Sequence, residues 1–173
     1  ERIMGGYVMD SKPGFYKNII VLDFKSLYPS LMRTFNIDPL SFGKRGIKAP
    51  NGALFSKKFG IMPDILEELW EVREEFRKNK DEAGRYAVKI MMNSFFGVMA
   101  SPMCRFFSLE IANAITSFSQ FFIKKTAKLI EEKGYEVIYS DTDSVFVVVD
   151  KNPKKVGKEL EKYVNDTLDV FVK

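Results

Sequence analysis

Histidine is absent from this sequence, and cysteine occurs only once, as Cys104. The lack of histidine removes the commonest general base and the commonest transition-metal ligand. A single cysteine cannot form an internal disulfide, and it leaves no thiolate cluster for zinc. Any metal ion that the chain binds must therefore be held by oxygen atoms, which favours magnesium, calcium or manganese.

Long apolar runs are also missing, since the longest, such as residues 145–149, fall far short of the ~20 residues that a membrane helix needs. The opening stretch ERIMGGYVMD lacks the layout of a signal peptide. The 173 residues, 46% of them hydrophobic, suffice for one compact domain with a core. We therefore expect a soluble intracellular protein without membrane contact, in the cytoplasm or nucleoid, or in a host cell if it is viral.

The apolar pattern predicts an α+β fold with an antiparallel sheet packed on helices. The elements of this layer are strands at residues 19–24, 135–140 and 144–149 and helices at residues 108–133 and 154–169. Two more helices within residues 62–96, joined by the turn NKDEAG and stopping at Gly97, predict an inserted helical hairpin. The apolar face of its first helix is predicted from Ile65, Leu66, Leu69, Trp70, Val72 and Phe76. Residues 38–62 are expected to form a loop or weak strands.

Two acidic residues, Asp141 and Asp143, lie at the tip of the predicted hairpin of residues 135–149. Turn chemistry alone explains such residues, because aspartate is a common turn former. A calcium loop of the EF-hand type is a poor match, since Phe146 stands where that loop needs glycine. A third acid, Asp23, ends an apolar strand whose composition is typical of the middle of a sheet.

If the strand of residues 19–24 lies beside this hairpin, the three carboxylates converge at one edge of the sheet. Their mutual repulsion would then be relieved only by a bound cation. Carboxylate ligands with open positions suit magnesium, which also takes phosphate oxygens of a substrate. Two such ions about 4 Å apart can clamp both oxygens of an in-line phosphoryl displacement. The acids thus lead to the hypothesis of two-metal phosphoryl transfer.

The helical hairpin carries cations at i, i+4 spacing, namely Arg73 with Arg77 and Arg85 with Lys89. Like-charged pairs at this spacing weaken a helix slightly unless an anion lies between them. A solvated basic face is the alternative interpretation. However, the stripe of Arg85 and Lys89 continues to an amide and a ring at Asn93 and Phe96. That order suits a triphosphate with its sugar or base at the far end.

Tyr28 follows Asp23 in the first turns of the next predicted helix. Packing in the core beside Leu27 and Leu31 is one interpretation. The other is a ring at the floor of a nucleotide pocket, where it could exclude a ribose 2′ hydroxyl. The residues alone leave both open.

Three segments in this order resemble motifs A, B and C of family B DNA polymerases: DFKSLYPS, KIMMNSFFG and YSDTDS. A fourth, MGGYV, is similar to the short glycine motif that joins the exonuclease and polymerase parts of that family. The resemblance implies a palm at residues 1–60 and 98–173 with an inserted fingers hairpin at residues 61–97. Among the departures, the motif C of the family more often has Gly or Ala where Ser140 stands.

The same resemblance implies roles for individual residues. Asp23 and Asp143 correspond to the catalytic, metal-binding aspartates, Asp141 to an auxiliary acid, and Phe24 offers a metal its backbone carbonyl. The implied nucleotide-binding residues are Ser26 and Leu27 through backbone amides, Tyr28 at the sugar, Arg73, Arg77 and Lys89 at the phosphates, and Asn93 beside the nucleotide.

The activity implied is template-directed DNA synthesis with two magnesium ions, or manganese, from a dNTP onto the primer of a primer–template DNA. Nothing in the sequence resembles an exonuclease domain or a thumb. We therefore expect a piece of a polymerase that lacks these domains. The alternatives are a split or accessory subunit that needs a partner, and a non-catalytic nucleic-acid-binding derivative of the palm.

Overall fold

The computed structural model describes residues 2–58 and 60–169. Its strands are β1 (Ile19–Asp23), β2 (Gly46–Lys48), β3 (Leu54–Ser56), β4 (Glu136–Asp141) and β5 (Ser144–Val148). Its helices are α1 (Leu27–Thr34), α2 (Ile61–Lys78), α3 (Glu82–Ala100), α4 (Leu109–Glu132) and α5 (Pro153–Leu168). The predicted α+β class is thereby confirmed. Within the described ranges, no helix is long and apolar enough to cross a membrane.

Element ends differ from the predictions at one notable place, Gly97. This residue was expected to stop the second helix of the hairpin, but α3 continues to Ala100, where the N–H of Ser101 donates to the carbonyl of Gly97. A glycine ends a helix by taking the left-handed conformation, and Gly97 is not among the residues with positive φ. The weak strands expected within residues 38–62 are present, as the antiparallel pair β2 and β3.

The chain divides into two compact units. The first unit contains the residues up to Met4 and Ser26–Phe118, and the second contains Gly5–Lys25 and the residues from Ser119 onward. Helices α1, α2 and α3 belong to the first unit, and the sheet β1-β5-β4 with α5 belongs to the second. The assignment of palm and fingers to particular residues stays a prediction.

The sheet of the second unit is antiparallel, and β5 is its middle strand. Val145 and Val147 of β5 are fully buried, as strand alternation requires of residues that face a core. The expectation that β1 lies in the middle of a sheet is wrong, because among the described strands β1 pairs only with β5. Its apolar run serves one covered face, toward α5, while Ile19 and Val21 remain 42% and 50% exposed.

Helix α5 covers that face of β1. Its buried residues Leu160, Val164 and Leu168 recur at helical spacing, as its amphipathic pattern predicts. Near its first turns, a Cβ placed on Gly157 would lie 3.9 Å from the Cδ1 of Ile20. The helix therefore approaches the strand closely without strain.

In the first unit, α2 and α3 form the predicted helical hairpin. Asp81 caps α3 by accepting a hydrogen bond from the N–H of Gly84 at 2.9 Å. A Cβ on Gly84 would lie 2.6 Å from the ring of Phe76, so glycine permits the close approach of the two helices.

The buried face of α2 differs from its predicted apolar face. Leu66 is fully buried, but Ile65 and Val72 remain 38% and 39% exposed, and Arg73 is buried instead. Periodicity counts apolar residues only, so it does not detect a long cationic side chain whose apolar stem packs against the core. The consequence for the site is described below.

The start of α2 is held by a residue distant in sequence. Its N-cap, Gly60, has no side chain, and the buried carboxylate of Asp38 accepts instead from the N–H of Met62 at 2.8 Å and of Leu40 at 2.6 Å. Asn36 accepts from the N–H of Gly60 at 2.7 Å. A Cβ on Gly60 would lie 2.6 Å from Asp38, so the contact requires glycine.

We predict that Asp38→Ala lowers the free energy of unfolding by about 2–3 kcal/mol, because it removes the cap of α2 and leaves two partly buried N–H groups without an acceptor. Chemical denaturation measures the change. Asp64→Ala is the matched control, since Asp64 is an exposed acid in the first turn of the same helix and should cost less than about 1 kcal/mol. Equal losses in the two variants would contradict the capping role of Asp38.

Candidate functional site

Three acids lie at one end of the sheet in the second unit. Asp23 of β1 and Asp141 of β4 both pair with Ser144 of the middle strand. Because neighbouring strands lie ~4.8 Å apart, the backbones of these two acids are about 10 Å apart. Asp143, which precedes Ser144, is exposed like the other two acids.

The turn between Asp141 and Asp143 gives the two acids different neighbours. Thr142 takes the left-handed conformation with φ 50°, which reverses the chain. The carbonyl of Asp143 accepts from the N–H of Phe24 at 2.8 Å, so Asp143 is tied to the chain beside Asp23. The carboxylate of Asp141 accepts from the Oγ1 of Thr142 at 2.9 Å.

The glycine motif near the start of the chain supports this turn. The N–H of Thr142 donates to the carbonyl of Tyr7 at 2.9 Å, and Val8 forms an isolated β-bridge with Asp141. A Cβ on Gly6 would lie 2.8 Å from the side chain of Thr142. Reasoning from the residues alone did not assign these positions to the site. The signal that could have found them is the adjacent pair of glycines, which permits close approach of a backbone.

The arrangement of the acids determines which metal site they could form. Within residues 2–58 and 60–169, no three Asp, Glu, Cys or His side chains gather closely enough to hold a metal ion. The three carboxylates therefore meet in strand register but do not form a complete cage. Magnesium usually takes only one or two carboxylates and completes its shell with water and substrate phosphates. An open site of that kind is what the prediction of Asp23, Asp143 and the carbonyl of Phe24 as ligands requires, and these ligands stay a prediction.

The predicted nucleotide-binding residues belong to the first unit, and two of them bond to each other. The guanidinium Nη1 of Arg73 donates to the Oγ of Ser26 at 2.6 Å. Ser26 is the N-cap of α1, in the left-handed conformation, and its side chain caps none of the N–H groups of that helix. The first N–H groups of a helix, from Leu27 onward here, have no acceptor within the helix and attract anions.

Arg73 is a buried cation, 8% exposed. Burial lowers its pKa, the positive charge of Arg85 lowers it further, and Glu74 opposes both. Its Nε has no hydrogen-bond partner among the described residues. A buried cation with an unused donor is electrostatically suited to an anion.

The other predicted phosphate and sugar contacts are more exposed. Arg77 forms an ion pair with Glu74 at 2.6 Å. The side chains of Lys89 and Asn93 are exposed on α3 and make no hydrogen bond or ion pair with any described residue. The exposure of Lys89 is therefore also compatible with the alternative interpretation, a solvated basic face.

Tyr28 remains partly exposed, whereas its neighbours Leu27 and Leu31 are buried at 6% and 1% exposure. The ring of Tyr28 contacts that of Phe96 at 4.7 Å between centroids. Phe96, the last residue of the stripe on α3, thus contacts the start of α1 through the ring of Tyr28. Leu27 and Leu31 therefore pack in the core, whereas the ring of Tyr28 is only partly buried.

The chain is similar to known proteins in sequence and in structure. A family model described as DNA polymerase family B matches residues 1–172. DNA polymerase II of Escherichia coli (strain K12) is 40% identical over 175 residues, which are 93% of this chain and 22% of the relative. A DNA polymerase of Thermococcus gorgonarius is 34% identical over 190 residues, covering 97% of this chain and 25% of the relative.

A solved structure is also similar. The family B DNA polymerase from the hyperthermophilic archaeon Pyrobaculum calidifontis matches with a TM-score of 0.81 at 28% identity, over 100% of this chain and 25% of that one. The chain thus spans about a quarter of the length of the relatives it matches. These matches confirm the resemblance that motifs A, B and C indicated.

We predict that Gly6→Ala destabilises the second unit by about 1–3 kcal/mol, because the added Cβ overlaps Thr142, whose hydroxyl is engaged with Asp141. Thermal unfolding measures the change. Gly5→Ala is the matched control, since a Cβ on Gly5 meets nothing within 4 Å. A Gly6→Ala protein as stable as the control would show that the turn does not need this close approach.

Proposed function

Because the chain belongs to DNA polymerase family B, we propose that it carries the nucleotidyl-transfer core of a template-directed DNA polymerase. The observation that carries this proposal is the meeting of motifs A and C, in which Asp23 pairs with Ser144 and Phe24 bonds to Asp143. The relatives named as DNA polymerases support it. The reaction would join a dNTP to the 3′ end of a primer on a DNA template.

The acids would bind the metal ions. Asp23 and Asp143, with the carbonyl of Phe24, would hold magnesium or manganese, and two such ions would stabilise the negative charge that develops on the attacking 3′ oxygen and on the leaving pyrophosphate. Asp141 would act as a supporting charge, since it belongs to β4 and its carboxylate is bonded within the turn.

The cations of the first unit would bind the triphosphate. Arg73 presents a buried guanidinium, and the first amides of α1 near Ser26 and Leu27 add further donors. Lys89 would add a charge-assisted hydrogen bond, and Arg77 another once its ion pair with Glu74 opens.

The nucleoside would meet different side chains. Tyr28, backed by the ring of Phe96, would pack under the sugar and leave no room for a 2′ hydroxyl. Asn93 would lie beside the nucleotide. Fixed positions of this kind contribute to catalysis by holding the reacting atoms in line.

Other parts of a polymerase would make most of the contacts that hold the primer–template duplex. The chain covers 22% to 25% of the relatives, so the exonuclease and thumb functions would come from other parts of a polymerase, in the same polypeptide or in a partner subunit. Primer extension should therefore be measured with the product of the complete open reading frame.

We predict that Asp143→Asn lowers the rate of primer extension by about 100- to 1,000-fold, because a metal ligand that stabilises charge in the transition state is lost. Asp141→Asn should lower it by about 10-fold or less. Asp150→Asn, an exposed acid beyond β5, is the control and should leave the rate unchanged. Equal rates in the Asp143→Asn and Asp150→Asn proteins would overturn the proposed metal site.

We further predict that Lys89→Ala raises the KM for dNTP by about 10-fold or more while kcat changes little, because a charge-assisted phosphate contact is lost from the bound substrate. Steady-state primer extension at varied dNTP measures both constants. Lys158→Ala, which removes an exposed cation of α5, is the control. If the KM is the same in both variants, Lys89 belongs to a solvated basic face instead.

A further inference from the structure

Trp70, the only tryptophan of the chain, has two guanidinium groups over its ring. The Cζ of Arg33 lies 4.9 Å and the Cζ of Arg73 lies 5.8 Å from the ring centroid. Both distances are within the ~6 Å at which an aromatic ring attracts a cation. Two cations over one ring repel each other, so each needs a further anchor.

The two anchors differ in charge. The Nε of Arg33 donates to the carboxylate of Glu67 at 2.7 Å, and its Nη2 contacts the same oxygen, so this cation is neutralised. Arg73 bonds to the hydroxyl of Ser26, a neutral group, and forms no ion pair with any residue in the described ranges. Arg73 is therefore fixed in place without having its charge cancelled.

We propose that Trp70 is a positioning residue for the triphosphate, which it serves by holding the guanidinium of Arg73 against Ser26. This inference rests on the proposed function. The ring attracts the cation through its face, whereas a carboxylate at this place would pair with Arg73 and compete with the phosphates. Ser26 takes one donor at Nη1, and the unused donors of Arg73 are left for an anion.

The role of Arg33 follows from the same geometry. Its ion pair with Glu67 joins α1 to α2 beside Trp70, and its guanidinium contacts the ring that also contacts Arg73. The neutral pair thus supports the ring without adding an uncompensated charge. The structure assigns to these side chains the task of keeping one buried cation both rigid and available.

Single-turnover nucleotide incorporation by the product of the complete open reading frame tests the inference, because it separates the apparent Kd for dNTP from the maximal rate. We expect Trp70→Leu to raise the apparent Kd by about 3- to 10-fold, with the maximal rate within about 2-fold. Trp70→Phe keeps an aromatic face and should restore the apparent Kd to within about 2-fold of the original. An unchanged Kd in a folded Trp70→Leu protein overturns the inference.

A double-mutant cycle with Arg73→Ala shows whether Trp70 acts through Arg73. In the Arg73→Ala background, Trp70→Leu should change the apparent Kd by less than about 2-fold, because the group it positions is already gone. Full additivity of the two effects would overturn the inference. If Trp70→Leu does not fold, Trp70→Met, whose unbranched side chain adapts better to an irregular space and also lacks an aromatic face, replaces it in the cycle.

Two further results keep this inference separate from the proposed function. If Arg73→Ala leaves the apparent Kd unchanged, the assignment of Arg73 to phosphate in the proposed function fails, and the inference falls with it. If Arg73→Ala raises the Kd but Trp70→Leu does not, only the inference fails. Tyr163→Leu is the control, since it removes a cation–π contact with Lys133 at 4.2 Å in the second unit and should leave the Kd unchanged.

Discussion

The register of the middle strand β5 is the constraint on which the acidic end of the sheet depends. Ser144 pairs with Asp23 on one side and with Asp141 on the other, and the next residue toward the turn, Asp143, bonds through its carbonyl to Phe24. A slip of one residue would send every side chain of the strand to the opposite face. The buried valines of β5 make such a slip costly. Core packing thus fixes where the acids lie, although the acids themselves are exposed.

In the first unit, the distribution of ion pairs explains why one cation differs from the others. Intrahelical or interhelical carboxylates neutralise three of its arginines, in the pairs Arg33–Glu67, Arg77–Glu74 and Arg85–Glu82. Arg73 is the most buried of these arginines, and it has a hydroxyl and a ring for neighbours. Burial of an uncancelled charge destabilises the folded chain. The hydrogen bond to Ser26 and the face of the Trp70 ring offset part of this cost.

Local patterns predicted the helices and strands well, because caps, turns and apolar periodicity act over a few residues. Contacts between distant segments could not be predicted in this way. Asp38 caps a helix that begins far along the chain, and Arg73 occupies a buried position that an apolar pattern assigns to its neighbours. The hydroxyl of Ser140 is fully buried without a partner among the described residues. A substitution that looks mild in a motif therefore carries a cost set by its tertiary environment.

The sequence also indicated that only a cation relieves the repulsion among the three acids. Their exposure shows that water and salt relieve part of this repulsion as well. Asp23, Asp141 and Asp143 all face solvent, where water and salt screen their charges. The left-handed Thr142 separates Asp141, which belongs to β4, from Asp143, which is bonded beside β1. Strand pairing and backbone hydrogen bonds hold these acids at the end of the sheet. The repulsion that remains between them is smaller than that between buried carboxylates, so a bound cation would gain less from relieving it.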